Sequence, residues 1–383
     1  VTSTPRPRLS ARGLDSTPSA TAEAAAGPTR LVGYLASWSL GASYGIADVP
    51  ARLLSHLIYA FAAISSAGEC VPGSTKSDPL YLPQLAGLKQ RNPQLKTLIS
   101  IGGGGGDANF PLVVQSSDAI QHFAASAVQF MTQYGFDGID IDWEYPVGDH
   151  QKQGLTALLA ELRRQLDQKS ETTGAPYLLT LAAPAGIQNF ASFDFASINR
   201  SLDWFNVMTY AFHGNWEKVT NFDAPLYATQ ADPSPFLQRM AYNTDAVVRS
   251  YLALDLPPDK LVVGMPFFGY GWKGVPDVNN GLYQPATSPG DGTHARGVYD
   301  YRDIAQRLIG ALPRYWHGEA QVPWLYDPTL GVMISYDDAQ SLAIKADYVR
   351  SQKLGGAMIW EISTDDTQHS LVTALATHLR GSA

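Results

Sequence analysis

From Arg30 onward the chain alternates short, apolar, β-branched runs with longer stretches in which apolar residues recur every three or four positions. The short runs predict strands over Leu31–Ala36, Leu57–Ile64, Lys96–Ile101, Gly138–Trp143, Tyr177–Ala183, Trp204–Thr209, Leu261–Pro266 and Gly356–Trp360. The amphipathic stretches predict helices over Asp118–Tyr134, Leu155–Gln168, Phe236–Leu252, Ala339–Gln352 and Thr367–Leu379. Eight strands alternating with helices over about 350 residues predict an α/β fold, a (β/α)8 TIM barrel spanning residues 30–383. An open, doubly wound sheet is the alternative. It announces a nucleotide site by a glycine fingerprint after its first strand, and Gly33 alone does not supply one.

Two regions break the alternation. Residues 1–29 are rich in Ser, Thr, Ala and Pro with no apolar period, and read as a flexible tail or linker. The start at Val1, without Met or an apolar leader, reads as a processed or trimmed product. The second break is the gap between the seventh and eighth strands, too long for an ordinary connection.

Composition narrows the function classes. At 45% hydrophobic and 16% charged residues the chain can bury a large core. The net charge of −8 and the lack of a basic tract argue against nucleic acid as a partner. No apolar run is long enough to span a bilayer. Cys70 is alone, which excludes an intrachain disulfide and a cysteine metal cluster, and no cofactor or metal is expected. The glycine run Gly102–Gly106 is followed by Asp107-Ala108-Asn109 rather than a Lys-Ser/Thr pair, so it marks a close backbone approach instead of a phosphate cradle. The 19 Tyr and 8 Trp suit a protein that stacks rings on sugar faces.

The chemistry concentrates in Phe136–Pro146, which contains Asp137, Asp140, Asp142 and Glu144. The last three alternate with Ile141 and Trp143, the period of a strand, so their carboxyls share one face about 6–7 Å apart. Carboxyls so spaced titrate together, and one can stay protonated near neutral pH while another is anionic. A calcium loop needs oxygen ligands at other offsets, and a solvated strand would not interleave Ile, Ile and Trp. In a barrel, catalytic groups stand at the C-terminal ends of strands. Glu144, Met208-Thr209-Tyr210, Trp360-Glu361, Tyr34 and Trp38 all fall at such ends.

Five motifs in order give a resemblance over nearly everything after residue 30. They are Ser100-Ile-Gly-Gly103, the Asp137–Glu144 run, Met208-Thr-Tyr210, Gly264-Met-Pro-Phe-Phe-Gly269 and Gly355-Gly-Ala-Met-Ile-Trp360. The sequence resembles glycoside hydrolase family eighteen, the chitinase family. The long gap then looks like the small α+β insertion domain of one branch, over residues 272–330, with Gly297–Ile304 resembling its helix start and the insertion walling the cleft.

The resemblance implies a secreted, monomeric enzyme that cuts chitin or chito-oligosaccharides with retention, by substrate-assisted catalysis. Glu144 is then the general acid, and Asp142 orients the acetamido N–H of the attacking sugar. Asp140 shares a proton with Asp142, and Tyr210 donates to the acetamido oxygen. Asp137 takes a structural role, bonding backbone or Ser100. Trp360 becomes the floor beneath the distorted sugar. Tyr34, Tyr145, Met208, Gly103, Gly104, Trp272 and Arg302 are the further substrate-contact candidates, with Trp216 and Trp324 behind them. Trp143 faces outward into the helix layer.

Two positions depart from the family pattern. Ala211 stands where Asp is usual, which should shift the pH profile or lower turnover unless His213 or Asp223 compensates. Gly104 stands where many relatives carry a sugar-stacking Trp, which should weaken binding on the leaving side. An enzyme acting on N-glycan cores or peptidoglycan, and a non-catalytic chitin-binding lectin, are the alternative readings. The insertion argues against the first, and Glu144 against the second.

Overall fold

Parallel strands covered on both faces need apolar residues at odd and even positions, and the chain supplies them. The computed structural model describes residues 29–41 and 43–381, so the expected tail over 1–29 lies outside the described residues except for Thr29. The barrel strands are β1 (Arg30–Ala36), β2 (His56–Ile64), β3 (Lys96–Gly102), β4 (Gly138–Asp142), β5 (Leu178–Ala183), β6 (Trp204–Val207), β7 (Leu261–Pro266) and β8 (Gly356–Trp360). Each pairs in parallel with the next, and β8 returns to β1, closing the barrel.

Alternation divides the residues between two cores. Val32, Tyr34, Ile58, Leu98, Trp204, Val262 and Met358 point inward and pack together inside the barrel. Their neighbours Leu31, Leu35, Ile99, Ile139, Ile141, Val263 and Ile359 point outward beneath the helices. The helix Ser117–Gln133 shows how that outer layer forms. Ser116 caps it by accepting from the Ala119 N–H, and Ile120, Phe123, Ala127 and Phe130 make the buried stripe. Trp143 stacks on Phe110 in the same layer, 5.0 Å between ring centres.

Element ends differ from the sequence expectation where local polar groups intervene. β6 stops at Val207 rather than Thr209, because the Thr209 N–H turns back to the Val207 carbonyl and its hydroxyl donates to the Gly264 carbonyl. The helix expected over Phe236–Leu252 is two, Phe236–Ala241 and Thr244–Leu252. Asn243 starts the second by accepting from the Ala246 N–H at 2.9 Å.

Between β7 and β8 a second, antiparallel sheet forms from Phe268–Lys273, Ser288–Pro289, Val298–Asp300, Arg314–His317, Val322–Asp327 and Val332–Tyr336. It has its own core, in which Trp272, Trp324, Tyr326 and Met333 pack with Phe222. Trp272 is therefore not a substrate contact. It is fully buried and donates its indole N–H to the Glu217 carbonyl. Trp324 is likewise buried, donating to the Asn280 carbonyl.

Candidate active site

Strand parity turns Gly138, Asp140 and Asp142 inward, while Ile139 and Ile141 anchor β4 to the helix layer. The register then sets Ser100 of β3 and Thr180 of β5 level with Asp140. Asp140 is fully buried and accepts from Thr180 Oγ1 (2.5 Å), Ser100 Oγ (2.7 Å), the Tyr34 hydroxyl (2.8 Å) and Asn206 Nδ2 (3.2 Å). Burial raises its pKa, and these four donors pull the other way. Ser100 thus bonds Asp140 and not Asp137.

Asp142, one pleat higher, lacks such support. Its Oδ1 is buried without a hydrogen-bond partner. Burial first, then the charges of Glu144, Asp140 and Asp107, push its pKa well above the usual carboxylate range. Asp140 thus has four donors to support its charged form, whereas Asp142 Oδ1 has none. Glu144 follows the strand and opens onto the cleft. Partial burial, then Asp107, raises its pKa too, against a hydrogen bond from the Gly104 N–H.

These groups face a cavity of about 260 Å3 lined by Tyr34, Trp38, Phe61, Gly104, Asp142, Glu144, Ala182, Met208, Tyr210, Met358 and Trp360. Trp360 lies against Phe61 with ring centres 5.8 Å apart and 24° between planes, leaving a flat apolar floor. Burial, then Asp142 and Glu144, push the Tyr210 phenol far above its ordinary pKa, so it stays a donor. A Cβ on Gly103, whose φ is +81°, would fall 2.4 Å from the Phe61 ring. A Cβ on Gly104 would clash with nothing and would make an ordinary contact with Glu144 Oε1, at 3.6 Å.

Glu144 stands midway along a groove. On one side Trp38 and Trp360 lead into a cavity of about 450 Å3 that includes Tyr44, Phe268, Asp300 and Arg302. On the other, Glu144, Met208 and Tyr210 also line a cavity of about 380 Å3 with Tyr145, Asn189, Trp216 and Gln238. Trp38 and Trp216, both well exposed, stand on opposite arms.

The remaining sequence candidates sort by position. Tyr34 lines the cavity but is almost fully buried, its hydroxyl committed to Asp140 and to Asn206 Nδ2 at 3.1 Å. Arg302 reaches the larger arm, but its guanidinium binds the Ser363 carbonyl at 2.7 Å and the Asp365 carbonyl at 3.2 Å. Asp137 is at the far end of β4, accepting from the Thr97 N–H and pairing with Lys89, each at 2.7 Å. His213 turns away to Glu217. Asp223 is buried behind the site and takes the Ala211 N–H at 2.7 Å, which holds Ala211 at φ +54°. Three residues escaped the sequence reading. Thr180 and Asn206 carry only the inward parity of their strands as a signal. Asp107, which accepts from the Glu144 N–H at 3.2 Å, is a polar residue closing a glycine run. Among the described residues no group of three or more His, Cys, Asp or Glu is placed to hold a metal ion.

Comparison with known proteins agrees with this geometry. The model of Glycosyl hydrolases family 18 matches residues 30–365. Chitinase A1 of Niallia circulans is 35% identical over 90% of this chain, and the chain spans 58% of that enzyme's length. Chitinase ChiA74 of Bacillus thuringiensis has the same fold with a TM-score of 0.85 and 32% identity, over 93% of this chain and 70% of that one. Human YKL-39, described as a pseudo-chitinase that retains chitooligosaccharide binding, aligns at 29% identity and a TM-score of 0.84, over 92% of this chain and 100% of its own. A barrel with its acidic row at the strand ends and a match over most of its length make this chain a member of glycosyl hydrolase family 18.

Proposed function

We propose that this protein hydrolyses the β-1,4 bonds of chitin and chito-oligosaccharides with retention, through a substrate-assisted route. The observation that carries this reading is the position of Glu144, midway along an aromatic-walled groove with a pKa raised above that of an ordinary carboxyl. A carboxyl so placed can hand a proton to a departing sugar oxygen. A protein nucleophile would have to stand across the sugar ring from the acid. Asp142 and Glu144 line the same cavity, and in this reading the N-acetyl carbonyl of the substrate serves as the nucleophile and closes on its own C1. Asp142 accepts the acetamido N–H, and Tyr210 donates to the acetamido oxygen, holding it in line. Glu144 then takes a proton from the incoming water. Exposed Trp38 and Trp216 on the two arms favour a chain lying across the acid, with sugars bound on both sides. An insoluble polymer of this kind places the work outside the cell.

Reducing-end release from colloidal chitin, by wild type and by Glu144→Gln, tests the proposal. Release by the wild type and binding without release by the variant are expected. Binding without release by the wild type would assign it sugar binding without hydrolysis, the description given for the pseudo-chitinase YKL-39.

A further inference from the structure

The glycine run after β3 does more than make room. The Gly106 N–H bonds the Gly103 carbonyl at 2.8 Å, folding the loop back on itself. The turn delivers Asp107 to the cleft rim, where Oδ2 accepts from the Glu144 backbone N–H at 3.2 Å. The Asp107 carbonyl accepts from the Phe110 N–H at 3.0 Å, which ties the residue to the short helix Phe110–Val113. Gly104 and Gly105 place no side chain between this carboxyl and the acid. The groups facing Glu144 are Asp142 from β4, Asp107 from the β3 loop, Tyr145 beside it and Tyr210 after β6, with Asp140 deeper. Among the described ion pairs, none joins a Lys, Arg or His to Asp107, Asp140, Asp142 or Glu144.

We propose that Asp107 is a positioning residue for Glu144, anchoring its backbone and, by its charge, setting the pH at which the enzyme loses its acid. The proposal rests on the hydrolase reading above. A negative charge at this rim disfavours a second one on Glu144, so the acid keeps its proton to higher pH. The same charge acts on Asp142, whose pKa burial, Glu144, Asp140 and Asp107 raise in that order. The loop thus contributes to the acidic row from outside the strand that carries it.

Two variants separate the charge from the anchor. Asp107→Asn keeps an oxygen to accept the Glu144 N–H and removes the charge. The alkaline limb of its kcat/KM profile moves to lower pH by about half a unit to one unit, a roughly three- to tenfold loss on that limb. Asp107→Ala removes both, so the limb moves and kcat also falls across the whole range. Carbon-13 titration of the Glu144 carboxyl in wild type and Asp107→Asn gives the same comparison without turnover, with a lower midpoint expected in the variant. Superimposable midpoints and limbs would overturn the proposal. A wild type that releases no reducing ends would instead overturn the hydrolase reading, leaving the titration to decide on Asp107.

Discussion

The two ends of β4 carry the same kind of side chain and do opposite things with it. At the lower end Asp137 meets cations. Lys89 pairs with it at 2.7 Å and Lys96 stands at 3.9 Å, while the Thr97 N–H donates to it. At the upper end Asp142 and Glu144 meet other acids, and burial with those like charges raises both pKa values. An acid with bases around it holds the fold together, and one kept from bases is free to hold and move a proton. The comparison follows the general division of these barrels, with stability at the bottom face and chemistry at the top.

The largest expected effect breaks the upper end alone. Glu144→Gln removes the proposed general acid and lowers kcat on a chito-oligosaccharide by about 10²–10⁴ while binding survives. Asp142→Asn sharpens the comparison, because it lowers turnover by about 10² but raises stability. The sign follows from linkage. Its folded pKa lies above the unfolded one, so the native state binds more protons, and stability is lost as pH rises through the folded value. The variant has no such ionisation, so its gain in melting temperature over wild type grows with pH. Asp137→Ala breaks the lower end alone. It leaves the Thr97 N–H without its partner and Lys89 with the Gly135 carbonyl at 3.2 Å, and costs about 1–3 kcal/mol of stability, with the pH profile of kcat unmoved. Thermal unfolding and a pH–rate series on the three variants separate these outcomes.

Much of this site was legible because strand parity is a short-range property. Asp140, Asp142 and Glu144 alternate with Ile141 and Trp143, and that pattern places the acids on the inner face without knowledge of any neighbour. Which residues support them is a matter of register between strands, and one strand does not encode it. The sequence leaves Asp137 to bond backbone or Ser100; it takes the Thr97 backbone N–H, and the β3–β4 register sets Ser100 level with Asp140. Tyr34 falls at the right strand end and lines the cavity, but that its hydroxyl goes to Asp140 depends on barrel closure, which β1 alone does not encode. Trp272 follows a cleft motif in sequence, but the insertion sheet folds a core of its own and consumes the ring. Asp107 had no period to reveal it, since its place depends on how five glycines turn.

Cleavage of a fully N-acetylated chito-oligosaccharide, set beside the same oligomer stripped of every acetyl group, tests most directly whether the substrate supplies the nucleophile. The account predicts that only the acetylated chain is cut and that its first product is the β-anomer. Comparable cleavage of the deacetylated chain, or an α-anomer released first, would contradict it.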